Sequence, residues 1–351
     1  MPIPPLLHRL LTTPGPSGHE GDAAGVWRET AAAFAEVSAD ALGSSIARVR
    51  GTGDGPLLAI VGHIDEIGVH VSHIDDDGFL RFGSVGGWDP IILVGQRVTL
   101  VTRNGPIPGV IGKKPIHLMK DEDRKRVPEL KDLHIDIGAR DGDDARSMVR
   151  IGDVAVIAGE PVELPNGRVA SRAMDNRIGC YVALEAARLV AEAGGAAGDV
   201  AAVAAVQEEI TFAGSRTTAF SLAPDLAVAV DVTFATDQPG VELGELTKHP
   251  LGSGPSLTRG STIHPRVFEL LHEAAEAEGI PFTVAAAGRA TGTDADAIYL
   301  SRAGIPTALV SVPLRYMHSP VELCQLDDVT NAARLIAAFA LRLSADTSLV
   351  R

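Results

Sequence analysis

The sequence predicts an α/β fold in which a mostly parallel sheet, flanked by helices, is interrupted by a small all-β, barrel-like domain. Short apolar runs bounded by Gly, Pro or Asp alternate with longer helical patterns, which is typical of a sheet covered by helices on both faces. From about Gly68 to Glu163, short β runs rich in Gly, Asp and Pro replace this alternation. We therefore expect a main domain from residues 1–67 and 164–351, and an inserted β domain at residues 68–163.

Each element of the main domain has its own signal. The run "PLLAIVG" predicts a buried strand at Leu57–Val61, and "DVAAVAAV" and "DLAVAVDV" predict strands that begin at Val200 and Leu226. The segment "NRIGCYVALEAARLVAEAGG" predicts a helix from about Arg177 that ends at a pair of glycines. An amphipathic helix in "HPRVFELLHEAAEAEGI", a strand in "GIPTALVSVPL" and a closing helix in "LDDVTNAARLIAAFALRLSAD" follow. In the insert, the Asn-Gly pair of "TRNGPI" indicates a hairpin.

Composition and charge exclude several classes of protein. A formal net charge of −14 over 351 residues argues against nucleic acid and membrane surfaces as partners. The only cysteines, Cys180 and Cys324, do not make a disulfide framework or a thiolate metal site. The chain begins without a secretory signal pattern, and no apolar run reaches the length of a membrane span. We therefore expect a cytoplasmic protein.

Metal-capable side chains follow four of the predicted strands, and one more precedes the helix that starts near Arg177. Ligands of open α/β sheets bind in the crevice at the carboxyl ends of the strands, so these side chains are expected to converge there. Taken singly, each has an ordinary interpretation as a helix cap, a turn residue or a surface group. Their joint placement is what indicates a site. The residues are His63, Asp65, Asp175, Glu208, Glu209, Asp231 and His318.

These residue types fit a pair of divalent cations. Imidazole and carboxylate ligands without thiolate suit zinc, cobalt or manganese. A carboxylate shared between two ions about 3.5–4 Å apart offsets their mutual repulsion. In such a site Glu209 serves as a ligand, whereas Glu208 lies within reach of the attacking water and takes its proton. Asp65, two residues after His63, is placed to accept the second imidazole N–H and fix the tautomer.

Eight segments occur in the order seen in one known family: "GHIDEIG", "KKPIH", "LHIDIGARD", "SRAMDNRIG", "VQEEITFAGS", "VAVDVT", "GTDADAI" and "PLRYMHSPVEL". On these segments the chain resembles the dinuclear-metal aminopeptidases that assemble as tetrahedral dodecamers. Some of them are named glutamyl or leucyl aminopeptidase, deblocking aminopeptidase or cellulase M. The resemblance covers nearly the whole chain, from "TTPGPSGHE" to "LDDVTNAARLI".

The resemblance implies which residues hold two divalent ions per subunit. One ion is held by His63, Asp175 and Asp231. The other is held by Asp175, Glu209 and His318, so that Asp175 bridges the pair. Zinc is the expected metal, with cobalt and manganese as the other candidates. The resemblance also implies that the inserted domain serves assembly or gating, and that the chain forms a homo-oligomer of the dodecameric kind.

The implied reaction is hydrolysis of the first bond of a short peptide by a metal-bridged hydroxide, with Glu208 as the base. The alternative is a dinuclear zinc deacylase of N-acyl amino acids. The deacylase family carries its extra domain between later metal ligands. In this chain the longer stretch between ligands separates His63 from Asp175. A glycoside hydrolase does not need His63 and His318, and 4% aromatic residues suit a sugar site poorly. A binding protein on an inactive scaffold would be indicated by a lost ligand, and none is lost.

The sequence leaves two interpretations open for several neighbours, which either line the substrate pocket or only pack and cap. These are Thr293, Asp294, Asp296, Arg315 and Tyr316. His117 stays unassigned, and the charge run Lys120–Asp132 is interpreted first as a solvated loop, with its role open. No pattern in the sequence sets the preferred N-terminal residue of the substrate.

Overall fold

One large sheet and one closed barrel organise the chain. The computed structural model describes residues 2–242, 244 and 247–351, and of residue 123 the backbone alone. Residues 1, 243, 245 and 246, which the sequence assigns to the main domain, lie outside this part. The strands are β1 Glu36–Ala39, β2 Ser45–Val49, β3 Leu58–His63, β4 Gly68–Ile74, β5 Leu80–Val85, β6 Arg97–Thr102, β7 Gly105–Lys113, β8 Leu133–Asp136, β9 Val154–Ile157, β10 Val162–Leu164, β11 Arg168–Ser171, β12 Val200–Ala205, β13 Leu226–Phe234, β14 Ser256–Gly260, β15 Thr283–Ala287, β16 Thr307–Arg315 and β17 Glu322–Gln325.

Helices cover the sheet and connect its strands. They are α1 Pro5–Thr12, α2 Gly21–Ala31, α3 Pro90–Leu93, α4 Asp121–Arg124, α5 Gly142–Met148, α6 Met174–Glu192, α7 Glu208–Thr211, α8 Ala213–Leu222, α9 Pro265–Ala277, α10 Ala295–Ile298 and α11 Leu326–Arg342. Short 3-10 turns lie at Ile116–Leu118, Leu130–Asp132 and Pro165–Gly167. The long helix α6 packs on β3, β12 and β13 and also contacts α11. No helix in the described part is long and apolar enough to cross a membrane.

The sheet has a parallel centre and antiparallel edges. Its strands lie in the order β1-β2-β12-β3-β13-β16-β17-β11-β10, and β14 pairs with both β15 and β16. The central strands β12, β3, β13 and β16 are parallel to their neighbours within this group. The outer pairs along this order are antiparallel, because short turns such as residues 40–44 connect several of them. The predicted α/β class is confirmed, with a mixed rather than a mostly parallel sheet.

The insert forms a six-stranded closed barrel with its own apolar core. Its strands lie in the order β4-β5-β8-β7-β6-β9, between Gly68 and Ile157. The hairpin indicated by "TRNGPI" joins β6 to β7, with Arg103 and Asn104 in the turn and Gly105 at φ 109° opening the next strand. The predicted barrel-like insert is therefore confirmed, whereas the domain boundaries at residues 68 and 163 stay predictions.

Strand β3, which ends at His63, packs directly against helix α6. A Cβ on Gly62 would stand 2.4 Å from the backbone carbon of Gly179, a distance that no packed pair of atoms tolerates. Cys180 Sγ donates to the Gly62 carbonyl at 3.3 Å in the same contact. The missing side chain of Gly62 thus sets the separation between β3 and α6, immediately before His63.

Gly62→Ala is expected to destabilise the protein by about 1–3 kcal/mol, because the added methyl group overpacks this contact. Gly25→Ala is the matched control, since Gly25 lies within α2 and a Cβ there meets nothing within 4 Å. That variant is expected to be as stable as the wild type or slightly more so. Thermal unfolding of both variants measures the difference. An unchanged midpoint for Gly62→Ala would contradict the close approach.

Candidate metal centre

The carboxyl ends of the central strands meet at one rim of the sheet. Strand β3 ends at His63, and Asp231 lies on β13 near its carboxyl end. Glu208 and Glu209 form the first turn of α7, just after β12. His318 follows the end of β16 by three residues. Parallel pairing in register therefore brings side chains from four distant segments to the same place.

Asp175 lies between the two imidazoles. It is buried at the start of α6, where the peptide bond to Asn176 is cis and both residues depart from helical φ and ψ. Its Oδ1 is 3.2 Å from His63 Nε2, and its Oδ2 is 3.4 Å from His318 Nε2. Each carboxylate oxygen thus faces a different imidazole, which is the arrangement that a carboxylate shared between two cations needs.

Further carboxylates lie beside each imidazole. His63 Nε2 is 3.6 Å from Glu208 Oε2 and 4.0 Å from Asp231 Oδ1. His318 Nε2 is 3.4 Å from Glu209 Oε2. Two sets of side chains bring possible ligand atoms within 4.8 Å of one another, namely His63 with Asp175 and Glu209, and His63 with Glu208 and Asp231.

Asp65 contacts both the imidazole and the turn that carries the glutamate pair. His63 Nδ1 lies 3.3 Å from the Asp65 carbonyl oxygen and 3.4 Å from its Oδ1. The Asp65 carboxylate accepts hydrogen bonds from the backbone N–H groups of Glu208 (3.0 Å) and Glu209 (3.1 Å). It also accepts from the Ser17 hydroxyl at 2.5 Å. This buried acid therefore fixes the backbone of both glutamates as well as facing His63.

Two buried acids that the sequence analysis leaves out also hold the backbone of the site. Glu322 accepts from the His318 N–H at 2.8 Å and from the Asp175 N–H at 3.1 Å. Glu20 accepts from the Gln207 N–H at 3.1 Å, one residue before the glutamate pair. The only signal for these residues in the sequence is their place in quoted segments, Glu322 in "RYMHSPVEL" and Glu20 at the end of "TTPGPSGHE".

The pKa values of the ionisable groups of the site are shifted in different directions. Burial raises the pKa of Glu208 to about 10 and raises that of Asp231 well above its ordinary value. Burial acts on Asp175 in the same sense, but its hydrogen bonds to the imidazoles outweigh this and lower its pKa. Hydrogen bonds to Asp175 and Glu209 raise the pKa of His318 to about 11. The imidazoles thus balance Asp175, whereas the charge of His63 lowers the pKa of Glu208 and Asp231 by less than burial raises it.

The donor set fits a pair of divalent cations. In the described part of the chain, the side chains of four carboxylates are almost fully buried around two imidazoles. Glu209 Oε1 is buried and finds no hydrogen-bond partner among the described residues. Buried charges of this kind are paired or bind metal ions. Two divalent cations carry the positive charge that four carboxylates require, and the unpartnered oxygen offers a further ligand atom.

The site opens into a cavity of about 410 Å³. Among the described residues, its lining comprises the two imidazoles, the four carboxylates that surround them and eight uncharged residues. Most of these uncharged residues neighbour the site residues in the chain, as Val232 follows Asp231 and Met317 precedes His318. The volume lies within the range of pockets that hold small ligands.

The loop before α10 is both a polar turn and a wall of this cavity. Asp296 accepts hydrogen bonds from two backbone N–H groups of the loop. Thr293 lines the cavity, and its hydroxyl accepts from a backbone N–H of α10. Asp294 is buried, and this burial raises its pKa to about 6, although the nearby Ser215 hydroxyl acts to lower the pKa. Neither of its carboxylate oxygens has a hydrogen-bond partner within the described part.

The other residues whose role the sequence leaves open are not among the described residues that line the cavity. Arg315 pairs with Asp237, with Nη2 2.5 Å from Oδ2. Tyr316 is exposed, and so is His117, which lies in a 3-10 turn of the insert. The segment Lys120–Asp132 is mostly exposed and contains only the short helix α4 and one 3-10 turn, as expected of a solvated loop.

Comparison with known families identifies the kind of enzyme that carries such a centre. Residues 43–335 match the family described as M42 glutamyl aminopeptidase. The chain belongs to this family. It is accordingly a peptide hydrolase of the metallopeptidase class that acts on amino termini, and membership implies divalent metal at the centre. The resemblance stated from the sequence is confirmed, and no comparison favours the deacylase alternative.

Relatives of this M42 chain match it over nearly its full length. The lysyl aminopeptidase of Pyrococcus furiosus is 36% identical, and the match covers 95% of each chain. The TET aminopeptidase of a marine sediment Thaumarchaeota archaeon has a TM-score of 0.92 at 34% identity, covering 97% of this chain and 96% of the other. The TET1 peptidase of Pyrococcus horikoshii, which assembles into a tetrahedron or a large octahedral shell, has a TM-score of 0.83 at 32% identity over 96% and 99% of the chains.

Glu322→Ala is expected to weaken metal binding by about tenfold or more, because two buried N–H groups at Asp175 and His318 lose their acceptor. Competition with a chromophoric zinc chelator measures the affinity, and circular dichroism checks the fold. Glu322→Gln retains one acceptor oxygen and is expected to give an intermediate affinity. Wild-type affinity in the alanine variant would show that this carboxylate does not position the two residues.

Proposed function

We propose that this M42 enzyme removes the N-terminal residue of short peptides at a pair of divalent cations. One cation would be held by His63, Asp175 and Asp231. The second would be held by Glu209 and His318 and would share Asp175. We propose zinc as the metal, with cobalt and manganese as ions that the same ligand types accept.

The observation that carries this proposal is the position of Asp175. Its two oxygens lie 3.2 Å and 3.4 Å from the imidazoles of two different segments, so one carboxylate faces two separate ligand sets. A site for a single cation would not require a carboxylate whose two oxygens face different imidazoles. Glu209 and Asp231 would complete the two sets, and Asp175 would be shared between two cations as in known dinuclear hydrolases.

Glu208 is the proton carrier in this proposal. Its carboxylate lies at the cavity wall and is not needed as a ligand once the other five residues are assigned. When bound, the cations would polarise the scissile carbonyl and acidify the attacking water. Glu208 takes the proton from that water and returns it to the leaving amine.

Asp65 positions both partners of this step. It lies behind His63 and orients the imidazole through Nδ1. It also accepts the backbone N–H of Glu208, which fixes where the base stands relative to the cavity. We therefore assign Asp65 to orientation of the metal ligand and of the base, and not to contact with the substrate.

We further propose that the chain works as a homo-oligomer, a tetrahedral dodecamer in the manner of its TET relatives. The TET1 peptidase of Pyrococcus horikoshii supports this, since it assembles into closed shells. Exposed apolar side chains on the edge strand β10, at Val162 and Leu164, offer surface for such contacts. The cytoplasmic location expected from the sequence stays a prediction.

Glu208→Gln is expected to keep its metal and lose about 10²–10⁴-fold in kcat, because the substitution removes the proton acceptor without removing a ligand. Glu209→Gln is the matched comparison at the neighbouring position. It is expected to lose metal, because a ligand is changed. Elemental analysis together with steady-state kinetics separates the two effects. A near-normal kcat for Glu208→Gln would remove Glu208 from this role.

His318→Ala is expected to lower the metal content from about two ions per chain towards one, because the second site loses its imidazole. Elemental analysis of dialysed protein gives the stoichiometry. His8→Ala, at an exposed histidine of α1, serves as the control and should keep the wild-type content. A single ion per chain in the wild type would contradict the paired site.

A further inference from the structure

We propose that the residue this enzyme removes carries an uncharged, apolar side chain of the size of Leu, Met or Phe. This inference rests on the proposed function and specifies its substrate class. It follows from the walls of the cavity beyond the carboxylate and imidazole cluster, which no sequence pattern reveals.

Four apolar side chains line the cavity next to the acidic cluster. They are Phe212, Val232, Phe234 and Met317. Each comes from a segment that also carries a site residue, so the apolar wall begins where the cluster ends. A peptide whose amino terminus lies at the cluster would place its first side chain against this wall, and apolar surface there favours apolar substrates.

The polar part of the wall, which includes the Thr233 hydroxyl, offers a carboxylate hydroxyl groups but no cation. The hydroxyls of Thr291 and Thr293 lie 2.9 Å apart and bond to each other. The backbone N–H groups of Thr291 and Gly292 are both occupied by the Asp296 carboxylate, at 2.8 Å each. No lysine or arginine lines the cavity within the described part of the chain. A glutamyl side chain would therefore meet no cationic side chain to balance its charge.

A lysyl or arginyl side chain meets the opposite difficulty. The carboxylates that face the cavity, among the residues the structure describes, are those of Asp175, Glu208, Glu209 and Asp231. The proposed function assigns all four to the cations or to proton transfer. None is left to pair with a substrate cation, and an unpaired buried charge is strongly disfavoured. The apolar wall thus separates this chain from the glutamyl and lysyl specificities named among its relatives.

The first experiment is a panel of aminoacyl p-nitroanilides with Leu, Met, Phe, Glu or Lys, assayed on the metal-loaded enzyme, with N-acetyl-Leu p-nitroanilide added. The Leu, Met and Phe substrates are expected to exceed the Glu and Lys substrates in kcat/KM by about tenfold or more. A higher kcat/KM for Glu or Lys would overturn this inference and leave the aminopeptidase function intact. Cleavage of the acetylated substrate alone would overturn the proposed function, and this inference with it.

The second experiment changes the wall. Phe234 is 52% exposed at the rim of the cavity, so Phe234→Lys adds a cation with little disturbance of the core. The ratio of kcat/KM for Glu over Leu substrates is expected to rise about tenfold or more. Leu300→Lys, at a residue 67% exposed and outside the described lining, adds the same charge and should leave the ratio unchanged. An equal ratio in the two variants would overturn the inference.

Discussion

The arrangement of this enzyme depends on one electrostatic constraint, the burial of four carboxylates around two imidazoles at the carboxyl ends of the central strands. The protein does not balance these charges itself, and as a result the pKa values of Glu208, Asp231 and His318 are all raised. A buried charge without a partner is too costly to keep unless a cation completes it. This explains why adjacent glutamates are tolerable directly after an apolar strand.

Holding that cluster together requires a second layer of buried acids. Asp65, Glu20 and Glu322 point their carboxylates at backbone N–H groups of the segments that carry the site. A buried N–H group that loses its acceptor is costly, so these hydrogen bonds fix the backbone from which each side chain projects. A further buried acid, Glu66, is neutralised by Arg172 and Arg177 instead. The molecule thus uses buried acids both to surround the imidazoles of the site and to hold the main chain that carries it.

Much of the fold was predictable because the central strands are buried on both faces and so appear as continuous apolar runs. Strands β3, β12, β13 and β16 and helices α6, α9 and α11 lie where the sequence indicates them. The edge strand β1 and the inner strand β11 were not predicted, because their exposed or alternating residues give no comparable signal. Short turns such as residues 40–44 also give little signal in the sequence, and they make outer strand pairs antiparallel, so that the sheet is mixed.

The sequence by itself determined which chemistry is present, because imidazoles and carboxylates placed after apolar strands are legible wherever the strands lie in space. It also determined the family, through the order of its motifs. Only the tertiary structure decided which atoms face each other. Glu322 holds Asp175 across 147 residues of chain, and Glu20 holds Gln207 across 187. Such contacts depend on packing between segments that have no local pattern in common, and the same is true of the apolar wall beside the cluster.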